Sequence, residues 1–285
     1  MSQTAVDDLV QLMDLEPIEV NIFRGVSPKE DRQRVFGGQV AGQALVAAAR
    51  TLEDDGGQVH SLHAYFLRPG DPTVPILYEV DRIRDGRSFT TRRVVAIQHG
   101  QAIFNMSASF QVPEEGLEHA FPMPDAPDPE SLPDRRARLA PLADKLGDLL
   151  DRPQAIDTRV ADWAPDDRTR ALPPYQRVWL RADGTLPDDP LLHTIVLTYA
   201  SDMTLLDTTL LPHAGTWFTP TLFMASLDHA MWFHRSFRAD EWLLYSQDTP
   251  TASSGRGLAR GLVYTQGGDL VASVVQEGLI RVGRP

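Results

Sequence analysis

The sequence predicts an α+β chain in which one unit, a long helix gripped by a curved antiparallel sheet, is used twice. Residues 84–111 (RDGRSFTTRRVVAIQHGQAIFNMSASFQ) and 252–277 (ASSGRGLARGLVYTQGGDLVASVVQE) share one pattern: a Ser/Gly/Arg stretch, an apolar strand, a Gln-Xaa-Gly turn and a second apolar strand. Residues 98–100 lie over 266–268 at an offset of 168 residues. Self-similarity of this kind marks a supersecondary unit used twice. The helix expected from Gly37-Gly38 to about residue 52 carries mostly small apolar residues, Val40, Ala41, Ala44, Ala47 and Ala48. Small residues let a helix lie close to a sheet that wraps round it, where a surface helix would show Leu and Ile.

The remaining elements follow in order. Residues 4–14 read as a short helix: Thr4 caps it, Asp7 sits three residues on, and Val6, Leu9, Val10 and Met13 form a stripe. EVNIFR (19–24) is a strand. Strands follow at 60–67, 76–84, 90–98 and 102–112, with turn signals at PGD (69–71) and RDG (84–86). The stretch 113–174 differs, holding 11 of the 22 prolines and only one helical pattern, at 139–150. It predicts a long surface linker, partly ordered. The first pattern then resumes with a strand at 177–181, a helix at 191–206, and strands at 223–233, 242–248, 254–265 and 270–280. The expected division is 1–112, a linker 113–175, and 176–285. A helix wrapped by an antiparallel sheet, present twice, is a duplicated hot-dog architecture.

Composition narrows the chemistry. The chain has 285 residues, ample for a core, and a formal net charge of -12, which disfavours a nucleic-acid backbone or an anionic membrane surface as partner. With no cysteine, disulfides, thiolate catalysis and Cys-ligated metals are excluded. No apolar stretch approaches the ~20 residues of a membrane span. The acidic amphipathic start does not read as a secretory signal, and the last three residues, Gly283-Arg284-Pro285, are not a Ser-Lys-Leu address. These features leave the compartment undecided, and nothing contradicts a reducing cytosol.

Polar residues on the helix and strands of the second half draw attention. Asp202, in YASD (199–202), sits late in the second helix; it is either a surface residue at a helix turn or a buried carboxylate that needs hydrogen bonds. Ser226 lies in a strand, where it reads as neutral filler or as a hydroxyl aimed inward. Gln276 alternates with Val274 on the terminal strand, which points it inward and Glu277 outward. With no metal or thiol at hand, the three together suggest a site that holds and activates water. His229 and His234, five apart on a strand, fall on opposite faces and make a poor metal pair; His60 and His63 are similarly split. Arg82, Arg84, Arg87, Arg92 and Arg93 read as a solvated strand face ahead of the alternative, a phosphate-binding cluster. There is no Gly-Xaa-Ser-Xaa-Gly elbow and no dinucleotide fingerprint.

These residues carry a family resemblance. RVFGGQVAGQAL (34–45), HSLH (60–63), YFLRPGD (65–71) and RDGRSF (84–89) in the first half, and YASD (199–202), DHAMWFHR (228–235), EWLLYS (241–246) and VQEG (275–278) in the second, resemble the acyl-CoA thioesterase II family of TesB type. The resemblance spans nearly the whole chain, least well in the Pro-rich linker. It implies a double hot-dog fold, hydrolysis of acyl-CoA to free acid and CoA, no cofactor and, since peroxisomal members end in a Ser-Lys-Leu-type tripeptide, a cytoplasmic location as the expectation. It places the family's catalytic Asp on Asp202, its hydroxyl residue on Ser226 and its Gln on Gln276, with His60 matching a first-half His also considered there. The Gly37-Gly38 helix start is the expected oxyanion donor. Hot-dog sheets commonly pair, so a homodimer or homotetramer is expected. Two alternatives stand beside this reading: a hydratase acting on enoyl-CoA, to whose Asp–His arrangement Asp207 and His213 come near but in the wrong spacing and context, and a non-catalytic acyl-CoA-binding protein.

Overall fold

A computed structural model describes residues 3–28, 33–53, 57–147, 150, 152–216 and 219–283. In chain order, helix α1 (Gln3–Met13) leads to a hairpin of β1 (Glu16–Glu19) and β2 (Ile22–Gly25). The single strand expected at 19–24 is this hairpin, turned at Asn21 with φ 62°. Helix α2 (Gly37–Ala49) follows, then β3 (Gln58–Phe66), β4 (Ile76–Asp85), β5 (Phe89–Gln98) and β6 (Gln101–Gln111). Short helical turns α3 (Arg135–Leu139) and α4 (Ala143–Leu146) replace the continuous helix expected at 139–150; Pro141 stands between them and denies the chain a backbone donor. Next come β7 (Ile156–Val160), β8 (Tyr175–Ala182) and helix α5 (Pro190–Ser201). A 3-10 helix, Leu206–His213, leads into β9 (Leu222–Ser226), β10 (Asp228–Phe233), β11 (Leu243–Ser253), β12 (Arg256–Thr265) and β13 (Leu270–Val282).

The strands form one antiparallel sheet in the order β1-β2-β4-β5-β6-β3-β10-β13-β12-β11-β8-β7, with β9 also paired to β13. The two halves meet at its centre, where β3 and β10 run antiparallel with His63 opposite Ala230. The fold is the duplicated α+β hot-dog expected from the sequence. Each half contributes one long helix to a shared core. Both helices are apolar nearly all round, as buried helices are: Ala41, Ala44, Leu45, Ala47 and Ala48 of α2, and Ile195, Val196, Leu197 and Ala200 of α5, are all buried. The helices lie antiparallel, Gly38 against Tyr199 and Gly42 near Ile195. A Cβ on Gly38 would come 2.4 Å from the Tyr199 carbonyl oxygen, so this close approach requires glycine.

Two sequence readings are corrected here. Arg92 is not part of a solvated face. It is fully buried, donating from Nε to Thr51 Oγ1 (2.8 Å) and from Nη2 to the Thr51 carbonyl (3.2 Å), and pairing with Asp85. Alternation along β5 aims Arg92 inward while Arg93 faces out. The stretch 113–175 also does more than bridge. Its residues 123–132 cover a second apolar cluster on the outer face, around Trp179, Trp242 and Tyr264. The Trp179 and Trp242 indole N–H groups donate to the Pro127 carbonyl (2.9 Å) and Glu130 Oε1 (3.0 Å). β7, from the same stretch, adds a strand to the sheet edge beside β8.

Candidate active site

Helix α5 starts on Asp189, whose side chain accepts from the Leu191 N–H, and ends with Asp202 as its C-cap. A carboxylate there faces the negative end of the helix dipole. It keeps partial exposure but is enclosed by protein on most sides. Burial raises its pKa to about 6, against the opposing pull of hydrogen bonds from Gln276, the Gly38 N–H and Ser226.

The three second-half residues singled out in the sequence converge. Gln276 lies inward on β13, fully buried, opposite the small Ala259 of β12, which leaves room for its side chain. Its Nε2 donates to Asp202 Oδ1 at 2.6 Å and to Ser226 Oγ at 3.1 Å, so one amide bridges both groups. Among the described residues its Oε1 has no hydrogen-bond partner. Ser226 ends β9, opposite Gly278, where a Cβ would collide with Leu206. The strand expected at 223–233 is broken after Ser226: the Leu227 N–H donates to Glu277 (2.9 Å) and its carbonyl accepts from Phe66 (2.9 Å). β9 thereby pairs with β13 while β10 turns to join β3.

Gly37 and Gly38 open α2 directly against this carboxylate. A Cβ on Gly37 would lie 2.6 Å from Asp202 Oδ2, and Phe66 is the next atom group met. Phe36 packs edge-on against Tyr199 at 5.0 Å. The wall is thus apolar and aromatic, with the polar groups gathered at one spot.

His60 is not brought to this spot. It lies six residues from Phe66 along β3, ~20 Å at the ~3.3 Å rise of a strand. There its Nε2 is bonded to Ser109 Oγ at 2.8 Å. Asp207 is held by Arg168 at 2.6 and 3.1 Å, which removes it from a hydratase pair with His213. His229 and His234 share no metal position, and no group of three metal-ligating side chains occurs among the described residues. His229 is instead buried beneath the site, its Nε2 2.8 Å from Ser201 Oγ, and burial lowers its pKa to about 4, so it is neutral. The Tyr245 hydroxyl reaches the Ser201 carbonyl at 3.4 Å. These two anchors of the residue before Asp202 escaped the sequence reading. The signal for His229 was its alternation with Met231, both inward on β10.

Comparison with known proteins assigns the chain to a family. Residues 27–111 match a family model described as acyl-CoA thioesterase N-terminal domain, and residues 158–279 match one described as acyl-CoA thioesterase. The chain is 44% identical to acyl-coenzyme A thioesterase 8 of Mus musculus, over 96% of this chain and 89% of that protein. It is 40% identical to acyl-CoA thioesterase 2 of Haemophilus influenzae, over 97% and 98%. A crystal structure of acyl-CoA thioesterase II TesB2 from Mycobacterium marinum is 48% identical and superimposes with a TM-score of 0.80, covering 96% of this chain and 98% of that one. Two matched domain models and relatives of 40–48% identity over nearly the full length show that the chain belongs to the acyl-CoA thioesterase II (TesB) family, enzymes that hydrolyse acyl-CoA thioesters.

Proposed function

We propose that Asp202, Gln276 and Ser226 carry the hydrolysis by activating water directly. The observation behind this is the Asp202 carboxylate, raised to about 6 by burial, bridged through one amide to a serine and set against a helix start free of side chains. A general base works best with a pKa near the operating pH, and at pH 7 Asp202 is ionised and ready to accept a proton.

In the step we infer, a water held between Asp202 and Gln276 Oε1 attacks the thioester carbonyl carbon, and Asp202 takes its proton. The carbonyl π electrons move to oxygen, giving a tetrahedral oxyanion. On collapse the C–S bond breaks, the CoA sulfur leaves with the bonding pair and recovers the proton from Asp202. Free acid and CoA thiol result, with water consumed. Ser226 steadies Gln276, which fixes the water. Gly38 already gives its N–H to Asp202, so we assign the oxyanion to the remaining N–H groups of the first turn of α2, beginning with Gly37. His60 has no part in this scheme. A homodimer or homotetramer is the assembly we expect, with Tyr65 and Leu67 exposed around the end of the central strand β3; light scattering in solution checks it.

The deciding experiment is thiol release from an acyl-CoA series, C4 to C18, by wild type and Asp202→Asn. Loss of ~10²–10⁴-fold in the variant is expected, the usual worth of a general base. Full activity in a folded Asp202→Asn would sink the scheme.

A further inference from the structure

The pairing at the centre of the sheet relates the halves residue by residue. His63 opposes both Ala230 and Ser107, and Ala230 in turn opposes Val275. Carried outward, this sets Ser226 and its partner Gly278 over Val59 and its partner Phe110, and Gln276 over Ala108. The helix C-caps match likewise, Asp202 over Arg50. The first half therefore holds a counterpart of the proposed hydrolytic site at the opposite end of the helix pair, with Arg50, Val59 and Ala108 where that site has Asp202, Ser226 and Gln276.

That counterpart is not filled in. A cavity of about 370 Å³ lies there, within the ~300–1,000 Å³ of ligand pockets, and Val59 and Phe110 both line it. Its remaining apolar wall comes from the end of α2 (Ala49), the start of α5 (Leu191), the end of β10 (Phe233) and the segment after it (Phe237). Two His–Ser pairs stand at its polar side, His60 with Ser109 and His234 with Ser273, each at 2.8 Å. The arginine on its wall, Arg235, is taken by Glu118 (3.3 Å) and the Leu270 carbonyl (3.1 Å), so it is not free for CoA phosphates. The helix start is also different. α5 begins Asp189-Pro190: proline has no N–H, and Asp189 accepts the Leu191 N–H. No counterpart of the Gly37-Gly38 donors exists at this end.

We propose that this cavity is a second acyl-chain pocket that binds without hydrolysing. It keeps the enclosure of the duplicated unit and lacks a buried carboxylate, an amide shared with a serine and open helix-start donors; Glu114, which lines it, is exposed and accepts from Gln111 Nε2 at 3.0 Å. Its ligand is a medium-length acyl chain, as the product acid or still on CoA. The inference rests on reading the Asp202 end as the hydrolytic site.

The test counts bound chains. Native mass spectrometry of the full chain is run with dodecanoic acid and, separately, with a dodecyl-CoA thioether, which cannot be hydrolysed. Two dodecanoates per wild-type chain are expected, and one in Thr194→Trp, which fills the cavity from α5. Ala49→Phe fills it from α2 and serves equally should the first variant not fold. Two thioethers per chain would show that the pocket takes a chain still on CoA. One thioether beside two acids would show that it takes the free acid. Fewer than two dodecanoates in wild type, or a second that survives both filling variants, overturns the proposal. Counting requires no turnover: loss of thiol release in Asp202→Asn together with a single bound dodecanoate would refute the second pocket alone.

Discussion

The C-terminal ends of α2 and α5 answer one structural question with opposite chemistry. Each helix must be tied to the sheet beneath it. At α5 the tie is Gln276, reaching from β13 to the carboxylate of Asp202. At α2 it is Arg92, reaching from β5 to the hydroxyl and carbonyl of Thr51. Sheet pairing explains how both fit: Gln276 lies opposite Ala259, whereas Arg92 lies opposite Ala108, so the large side chain has changed strands between the halves. A cation near a helix C-terminus is stabilised by the dipole and an anion is not. The α2 end is therefore built for stability. The α5 end keeps a carboxylate where burial and the dipole both oppose its charge, the kind of cost that marks a working site.

The comparison breaks most readily on activity. Asp202→Asn is expected to lower thiol release ~10²–10⁴-fold. Arg92→Leu, far from the reacting atoms, should leave turnover per folded molecule within about threefold, as separated sites act independently. Equal losses in the two variants would mean that the ends are coupled and the contrast is false.

Stability sharpens it in the other direction. Asp202 has a folded pKa of about 6 against the ordinary 3.8. The folded chain thus binds more protons than the unfolded chain between these values, and stability falls as pH rises through about 4 to 6. Asn cannot ionise and escapes this. At ~1.36 kcal/mol per pH unit the gap amounts to about 3 kcal/mol as an upper value. Asp202→Asn is expected to be more stable than wild type at pH 8 by up to that amount, with the advantage gone near pH 4. Urea titrations at the two pH values measure it. Arg92→Leu should do the reverse, losing about 1–3 kcal/mol by breaking buried hydrogen bonds to Thr51. No gain at pH 8 in the first variant, or no loss in the second, would contradict the assignment of strain to one end and stability to the other.

How far the sequence reveals this depends on the residue. The small residues of α2 and the alternation Val274-Gln276 are local patterns, and they place the helix and the inward amide correctly. Gln276 is legible because a polar group stands where an apolar face is due, while Asp202 and Ser226 stay ambiguous from their neighbours alone and are singled out by the family motifs. Arg92 obeys the same alternation, yet a run of arginines on neighbouring strands looks uniform until burial separates Arg92 from Arg93. The break at Leu227 is hidden because no glycine or proline stands between β9 and β10; only their different partners, β13 and β3, divide them. The distance from His60 to Asp202 was not legible either. Family motifs fix residue types, while six residues of extended strand carry a side chain to the far end of a helix pair.

The finest prediction concerns Gln276. Its hydrogen bond lowers the Asp202 pKa against the larger effect of burial. Gln276→Ala removes that bond and leaves Asp202 still enclosed, so the carboxylate should hold its proton to higher pH. The acidic limb of the pH–rate profile should therefore move to higher pH, with the plateau reduced as well because the water loses its second anchor. The two effects separate experimentally: a Gln that only positions water would lower the plateau and leave the limb in place. A limb unmoved in Gln276→Ala would remove Gln276 from the titration of Asp202, and the 2.6 Å contact would then be packing rather than tuning. No counterpart of this tuning exists at the α2 end, where the bridging side chain ties a hydroxyl and a carbonyl rather than a base.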